Sequence, residues 1–387
     1  MFQQSLPPFR MKGKTLLPIV QGGMGVGISA HRLAGTVASY GAVGTIASID
    51  LRRHHPDLMV QTERCRDRAK IEAANLVALD REIRAAKEIA NGRGMIAVNT
   101  MRAVTQYADY VRQACASGTD AIVVGAGLPL DLPELTAPWP EVALIPILSD
   151  GRGVAILLKK WQRKGRLPDA IVIEHPGYAG GHLGAARLEE VHAPRFEFHT
   201  VLLDIFETYL ELGIDRERIP VILAGGIHTH QQIRELLALG ASAVQIGTPF
   251  AVTTEGDAHP IFKKVLAEAR PQDIVTFMSV AGLPARAVLT PWLKNYLQRE
   301  PKLRALASPE RGRCTLAWDC LLHCGLRDGD PKSGQFCIDQ QLAAALRGDL
   351  AKGLFFRGSE SLPFGAAIRS VAELLNYFLT DIKPKMA

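Results

Sequence analysis

What the chain has little of narrows it first. No apolar run approaches the ~20 residues of a membrane-spanning helix. Residues 1–14, MFQQSLPPFRMKGK, hold no apolar stretch of signal-peptide length, so a cytoplasmic protein with no membrane partner is expected. Cysteine is sparse, six in 387 residues, which is too few for a disulfide scaffold and makes position matter more than number. Neither sign of charge forms a block: the formal net charge is +6, but 45 Lys and Arg are interleaved with 39 Asp and Glu. That pattern argues against a nucleic-acid partner and for a basic surface or an anionic ligand. No internal repeat and no low-complexity segment stands out. The GxGxxG fingerprint of a dinucleotide-binding sheet is also missing after the first apolar run, where QGGMGVG stands instead.

What is present is alternation, in a chain apolar enough at 47% to build a sizeable core. Eight short apolar runs, at 17–21, 43–47, 95–99, 121–125, 142–148, 170–174, 220–224 and 243–247, are separated by longer segments. Those at 73–91, 101–116, 154–164 and 229–239 read as helices. Repeated strand–helix units of this number predict an α/β fold, a (β/α)8 TIM barrel, with an open doubly wound sheet as the rival. After about Asp273 the alternation ends. Residues 288–339 are mixed and hold four of the six cysteines, and 340–348 and 368–379 read as helices. The expected division is a barrel over 1–272 and a C-terminal, partly helical extension over 273–387 that carries the cysteine segment, packed on the barrel.

The stretch 169–184, DAIVIEHPGYAGGHLG, concentrates the chemistry. A β-branched run (Ile171, Val172, Ile173) suits a strand buried on both faces, and it breaks into Gly177, Gly180, Gly181 and Gly184 around His182. Glycines at a strand end let backbone approach a ligand, and parallel α/β sheets place chemistry at such ends. The bland reading is a glycine-rich connection with an incidental histidine. The seventh and eighth runs likewise enter glycine, in ILAGGIHTHQQI and ASAVQIGTPF. Backbone N–H groups of Gly225, Gly226, Gly247 and Thr248, with the start of a helix, would hold a phosphate where barrels commonly do. At the amino end, LPIVQGGMGVGIS offers a place for a flat ring system. Met24 would give it a soft contact, Asn99 an amide and Glu174 an acceptor. Each of the three also has a structural reading: core filler, turn residue and salt-bridge partner.

At this point the residues resemble a family. PIVQGGMGVGIS, AGGHLG, ILAGGI, GASAVQIGT and SVAGLPAR (279–286) run in the order found in the nitronate monooxygenases, formerly 2-nitropropane dioxygenases, which include FMN-dependent enoyl-acyl-carrier-protein reductases and related NAD(P)H:quinone reductases. The resemblance covers roughly residues 15–290. It implies a TIM barrel with non-covalent FMN, and a cofactor-binding set of Gln21, Gly22, Gly23, Met24, Asn99, Glu174, Gly180, Gly181, Ala224, Gly225, Gly226, Gln245, Gly247 and Thr248. It implies His182 as catalytic acid or base, or as partner of a substrate anion, in the oxidative denitrification of alkyl nitronates by O2. The alternatives are an NAD(P)H-dependent reductase of enoyl thioesters or quinones, and a non-catalytic flavin-binding subunit of a larger synthase. The partners implied are a small-molecule substrate with O2 or NAD(P)H, and a homo-oligomer stays open. Two positions depart from many members: Tyr178 stands where an acidic residue precedes AGGH, and Pro249 where an arginine often follows the GT of strand eight.

The cysteine segment stands apart from that pattern. Cys314, Cys320, Cys324 and Cys337 have five, three and twelve residues between them. The spacing is similar to the four-cysteine [4Fe–4S] segment that follows the barrel in FMN-containing 2,4-dienoyl-CoA reductases. Thiolates suit an iron–sulfur cluster or zinc, and unliganded structural cysteines are the third reading. His323, between two of them, reads as a surface or packing residue.

Overall fold

The computed structural model describes residues 6–318 and 320–384. Eight parallel strands close into one barrel: Ile19–Gln21, Val43–Ala47, Met95–Met101, Ala121–Gly125, Ala143–Leu148, Ile171–Glu174, Val221–Ala224 and Ala243–Ile246. The eighth returns to the first with Val244 opposite Ile19, and each of the eight apolar runs read from the sequence holds one barrel strand. The rival open sheet is thereby set aside, because closure leaves no edge strand.

Small and branched residues fill the interior, among them Val20, Val43, Ala97, Val123, Ile145, Val172 and Ile222. Phe9, Met11 and Leu16 join this cluster from a short hairpin, Phe9–Met11 paired with Lys14–Leu16, which stoppers the amino-terminal end. Lys14 Nζ anchors the hairpin to Gly94 O at 3.0 Å and to Asp120 at 3.2 Å. With that end plugged, ligand space is left at the carboxyl ends of the strands.

The outer layer contains the expected helices as Arg68–Ala90, Tyr107–Ala116, Gly151–Gln162 and His230–Leu239. Among those not foreseen is His31–Ser39, whose Gly35 lies so close to the helix Arg68–Ala90 that a Cβ there would fall 2.7 Å from Ile89. Packing against a long neighbour, rather than local propensity, makes this short segment helical.

The chain after Asp273 is woven into the barrel. Ile274–Met278 and Pro284–Val288 form an antiparallel ribbon, and the second of these also pairs with Gly181–His182, with Ala285 opposite His182. The segment read as mixed contains the helix Pro291–Ala305, capped by the Thr290 side chain. The two expected helices are found at Ile338–Leu346 and Val371–Thr380. The last lays Leu374, Leu375 and Phe378 into a cluster with Leu33, Val37 and Ile233 of the barrel layer. Among the described residues no helix is long and apolar enough to cross a membrane.

Candidate active site

A cavity of about 680 Å³ opens at the carboxyl ends of the barrel strands, within the range of small-molecule and cofactor sites. His182 lies in its wall, as do Gly22, Gly23, Met24, Asn99, Glu174, Gly180, Gly181, Ala224, Gly225, Gly226, Gln245, Gly247 and Thr248. Gln21 does not line it. That side chain is fully buried and spent inside the barrel, donating to Thr45 O at 3.1 Å and accepting from Thr45 N at 2.8 Å, so it ties the first strand to the second.

His182 is held from two sides. Its backbone belongs to the strand pairing with Ala285, and Leu183 N–H donates to Pro284 O at 2.8 Å. Its Nε2 lies 2.8 Å from Ser279 Oγ, whose oxygen also accepts the Ala281 N–H at 3.1 Å. If the second lone pair of Ser279 takes the Nε2 proton, Nδ1 is left as the basic nitrogen. Burial pushes the imidazole pKa down to about 4, so the ring is neutral near pH 7.

Ser279 carried no signal of its own beyond membership of the SVAGLPAR segment. Arg286, from the same segment, is buried and donates to Pro176 O at 3.1 Å and to Ala179 O. It thereby stitches down the loop that presents Gly180 to His182.

Several glycines of the 169–184 stretch are explained by the chain itself. A Cβ on Gly180 would lie 2.5 Å from the Arg357 carbonyl carbon, and one on Gly184 would collide with Ser149 Oγ. Gly180 therefore admits residues 356–358 of the extension, which continue the cavity wall with Phe356, Arg357, Gly358 and Glu360. The His182 and Phe356 rings meet edge to face, with centroids 5.6 Å apart. No local pattern marks these extension residues, which lie far along the chain from the loop they cover.

The two glycine turns of the seventh and eighth strands do face the cavity together. Among the described residues, no intrachain backbone acceptor takes the N–H groups of Gly226, Gly247 or Thr248. A Cβ on Gly247 would meet only Met24 Sδ, at 3.8 Å. Space beside unpaired backbone donors is what a phosphate needs. The helix His230–Leu239 contributes less than expected, because its start is capped internally. Gln232 Oε1 accepts from the N–H groups of His228 and Thr229, and Thr229 Oγ1 accepts from Gln232 N.

Glu174 sits deep in the same wall. Burial raises its pKa to about 7, and the nearby Arg286 guanidinium pulls it back only in part. A carboxyl raised on folding adds stability that is full below its unfolded pKa of 4.5 and lost as pH rises through about 7. Glu174→Gln is therefore expected to raise the melting temperature of flavin-free protein at about pH 8, with the gain vanishing near the unfolded pKa. Thermal unfolding of both proteins across that interval checks it; a gain independent of pH would contradict it.

Fold and cavity together mark a (β/α)8 barrel protein with its ligand space at the strand tips. The sequence model of the nitronate monooxygenase family matches residues 9–381, and the chain belongs to that family. A Bacillus subtilis (strain 168) protein described as a probable nitronate monooxygenase is 28% identical over 303 residues, covering 76% of this chain and 82% of that one. Among solved structures, FabK from Thermotoga maritima has a TM-score of 0.61 at 20% identity, covering 94% of this chain and 92% of that one. Nitroalkane oxidase from Streptomyces ansochromogenes has a TM-score of 0.60 at 19% identity, over 93% of this chain and 94% of that one. The two structures speak for the fold. Family membership makes the protein an FMN-dependent oxidoreductase.

Proposed function

We propose that this protein is a nitronate monooxygenase in activity, oxidising alkyl nitronates with O2 and releasing nitrite, with FMN in the cavity described above. The observation that carries the reading is His182, a neutral imidazole fixed by Ser279 in the same cavity as the glycine turns. FMN, when bound, supplies a two-electron acceptor that can afterwards pass electrons to O2. The chain's own residues do the rest. The N–H groups of Gly226, Gly247 and Thr248 would bind the FMN phosphate, while Met24, Asn99 and Glu174 would contact its ring system. With a neutral nitroalkane, the imidazole nitrogen of His182 would take the proton from carbon next to the nitro group and the protonated ring would partner the anion formed; with a preformed nitronate, which has no such proton to lose, the ring would act only as partner of the anion.

Anaerobic mixing of the flavin-loaded protein with propyl nitronate, NADH and NADPH in turn tests the reading. Bleaching by the nitronate alone supports it. Fast bleaching by a pyridine nucleotide instead replaces it with a reductase of enoyl thioesters or quinones, and no bleaching by any of the three with a flavin-binding subunit.

The phosphate assignment has its own test. Gly247→Ala places a Cβ where only Met24 Sδ lies within 4 Å, so the apoprotein is expected to keep its fold. The added methyl group stands beside the N–H donors, and FMN affinity is expected to fall at least about tenfold, or ~1.4 kcal/mol. Flavin fluorescence titration reads this, with circular dichroism as the fold control; unchanged affinity would move the phosphate elsewhere.

A further inference from the structure

The cavity wall holds a charge that the reading above does not use. It is not on the cysteines. All six are free, and among the described residues Cys320 alone of them lines the cavity and no group of three or more His, Cys, Asp or Glu side chains could hold a metal ion. The charge is on Arg357, the one arginine or lysine among the described residues of the wall. Its side chain is buried, at 3% exposure, and a buried guanidinium is costly unless a counter-charge goes with it. Both of its hydrogen-bond partners are neutral: Nε donates to Leu266 O at 2.9 Å and Nη1 to Gly358 O at 2.9 Å. Among the described residues it forms no ion pair with a carboxylate. Burial lowers its pKa, and Glu360 is the one acid that opposes this. Glu360 does the same for Arg286, which is also buried. Two guanidinium groups thus share one acid, and Glu174, raised to about 7, is only half ionised near neutrality.

Position supplies the rest. Residues 355–359 form a strap that is tied down along its length. Val288 N–H donates to Phe355 O at 2.9 Å, Ser359 N–H to Tyr178 O at 3.1 Å, and Gly358 N–H to Thr248 Oγ1 at 3.1 Å. Gly358 therefore meets the Arg357 guanidinium with its carbonyl and the turn after strand eight with its N–H. That turn carries the N–H groups of Gly247 and Thr248, which no intrachain backbone acceptor takes among the described residues. With Thr248 Oγ1 accepting from Gly358, its hydroxyl proton is left as a further donor. Glu360 stands at the other turn, where a Cβ on Gly226 would lie 3.3 Å from its Cγ. A buried cation in excess, next to unpaired donors, fits an anion brought by the ligand.

We propose that Arg357, carried to the strand-eight turn by the strap, is the counter-charge of the FMN phosphate, with Glu360 as the acid that competes for it. The role rests on the FMN reading above and adds a residue from outside the barrel to the cofactor site. Phosphate binding then depends on the extension as well as on the glycine turns.

Riboflavin, which is FMN without its phosphate, separates this role from a structural one. Dissociation constants of both flavins are measured by fluorescence titration on flavin-free wild type, Arg357→Gln and Glu360→Gln, and the quantity read is the preference for FMN over riboflavin. Arg357→Gln keeps an N–H donor and loses the charge, and should lower the preference at least about tenfold with riboflavin affinity little changed. Glu360→Gln should raise it. An unchanged preference in Arg357→Gln, or an equal loss of both flavins, makes the residue a strut of the strap and overturns the proposal. Where circular dichroism shows that Arg357→Gln has not folded, Glu360→Gln decides alone, and a preference no higher than that of wild type overturns it. Wild type that binds neither flavin ends the FMN reading and this role with it. Wild type that prefers FMN, with variants that keep its preference, ends this role only.

Discussion

His182→Ala is expected to keep FMN bound while its reduction by an alkyl nitronate slows about 10²-fold or more. The reason is geometric before it is electrostatic. Among the described residues of the cavity wall, His182 is the one held by both a strand pairing and a side-chain hydrogen bond, the 2.8 Å contact to Ser279. Removing it takes away the partner of the nitronate anion, and for a nitroalkane the proton acceptor as well, while the glycine turns stay untouched, so binding and turnover separate. With a neutral nitroalkane, which must lose a proton first, the loss should exceed that with the preformed nitronate. The acid limb gives a second signature. Because burial lowers the imidazole pKa to about 4, the ring stays basic down to that pH, and the wild-type nitroalkane rate should fall only as pH drops through it. A limb near 6.5, the ordinary histidine value, would mean that the ring is solvated during turnover. Ser279→Ala should retain the base and lose its alignment, at a cost of about tenfold. Stopped-flow reduction across pH with the three proteins reads all of this, and a wild-type rate in His182→Ala would remove the residue from the mechanism.

How much of this was legible in the sequence follows from how local each cause is. Barrel strands buried on both faces leave short runs such as Ile171–Glu174 and Ala243–Ile246, and the glycines just after them mark the strand tips, so the eight strands and the glycine-rich part of the cavity wall could be read along the chain. Gln21 sits beside those glycines in sequence, but its side chain turns inward to Thr45, a direction that no local pattern marks. Gly180 lines the cavity, and the body packed against it is Arg357–Gly358, far along the chain. Such contacts leave no periodicity behind. The same holds for Phe356 and Glu360 in the wall and for Ser279 on His182, whose partners are known only once the ribbon Pro284–Val288 pairs with Gly181–His182. The cysteine segment was visible as spacing, but its closeness to the cavity depends on the bridge from Leu321 to Val104.

Asp50→Ala is expected to destabilise the fold by about 3–5 kcal/mol. Asp50 is wholly buried just beyond the second barrel strand, with φ of 52° in the left-handed region that aspartate tolerates. Its carboxylate accepts from Arg52 Nε at 2.8 Å and from Arg53 Nε, so one anion answers a buried and a partly buried guanidinium group. Arg52 also reaches Thr62 Oγ1 at 2.9 Å, and Arg53 reaches Asp339 Oδ2 at 2.8 Å. Alanine would leave Arg52, only 5% exposed, with no carboxylate, and the penalty is that of a buried uncompensated charge and not of one missing hydrogen bond. Asp50→Asn keeps the shape and an acceptor but loses the charge, and should fall between alanine and wild type. Guanidinium or urea unfolding reads the order as a shift in midpoint at constant slope. A shift worth less than about 1 kcal/mol would show that the arginines are compensated elsewhere. Because Arg53 connects this anion to Asp339 in the cavity wall, the loss should also loosen the helix Ile338–Leu346. Faster amide hydrogen exchange in that helix, without change in the hairpin at the opposite end of the barrel, would separate the local effect from general unfolding.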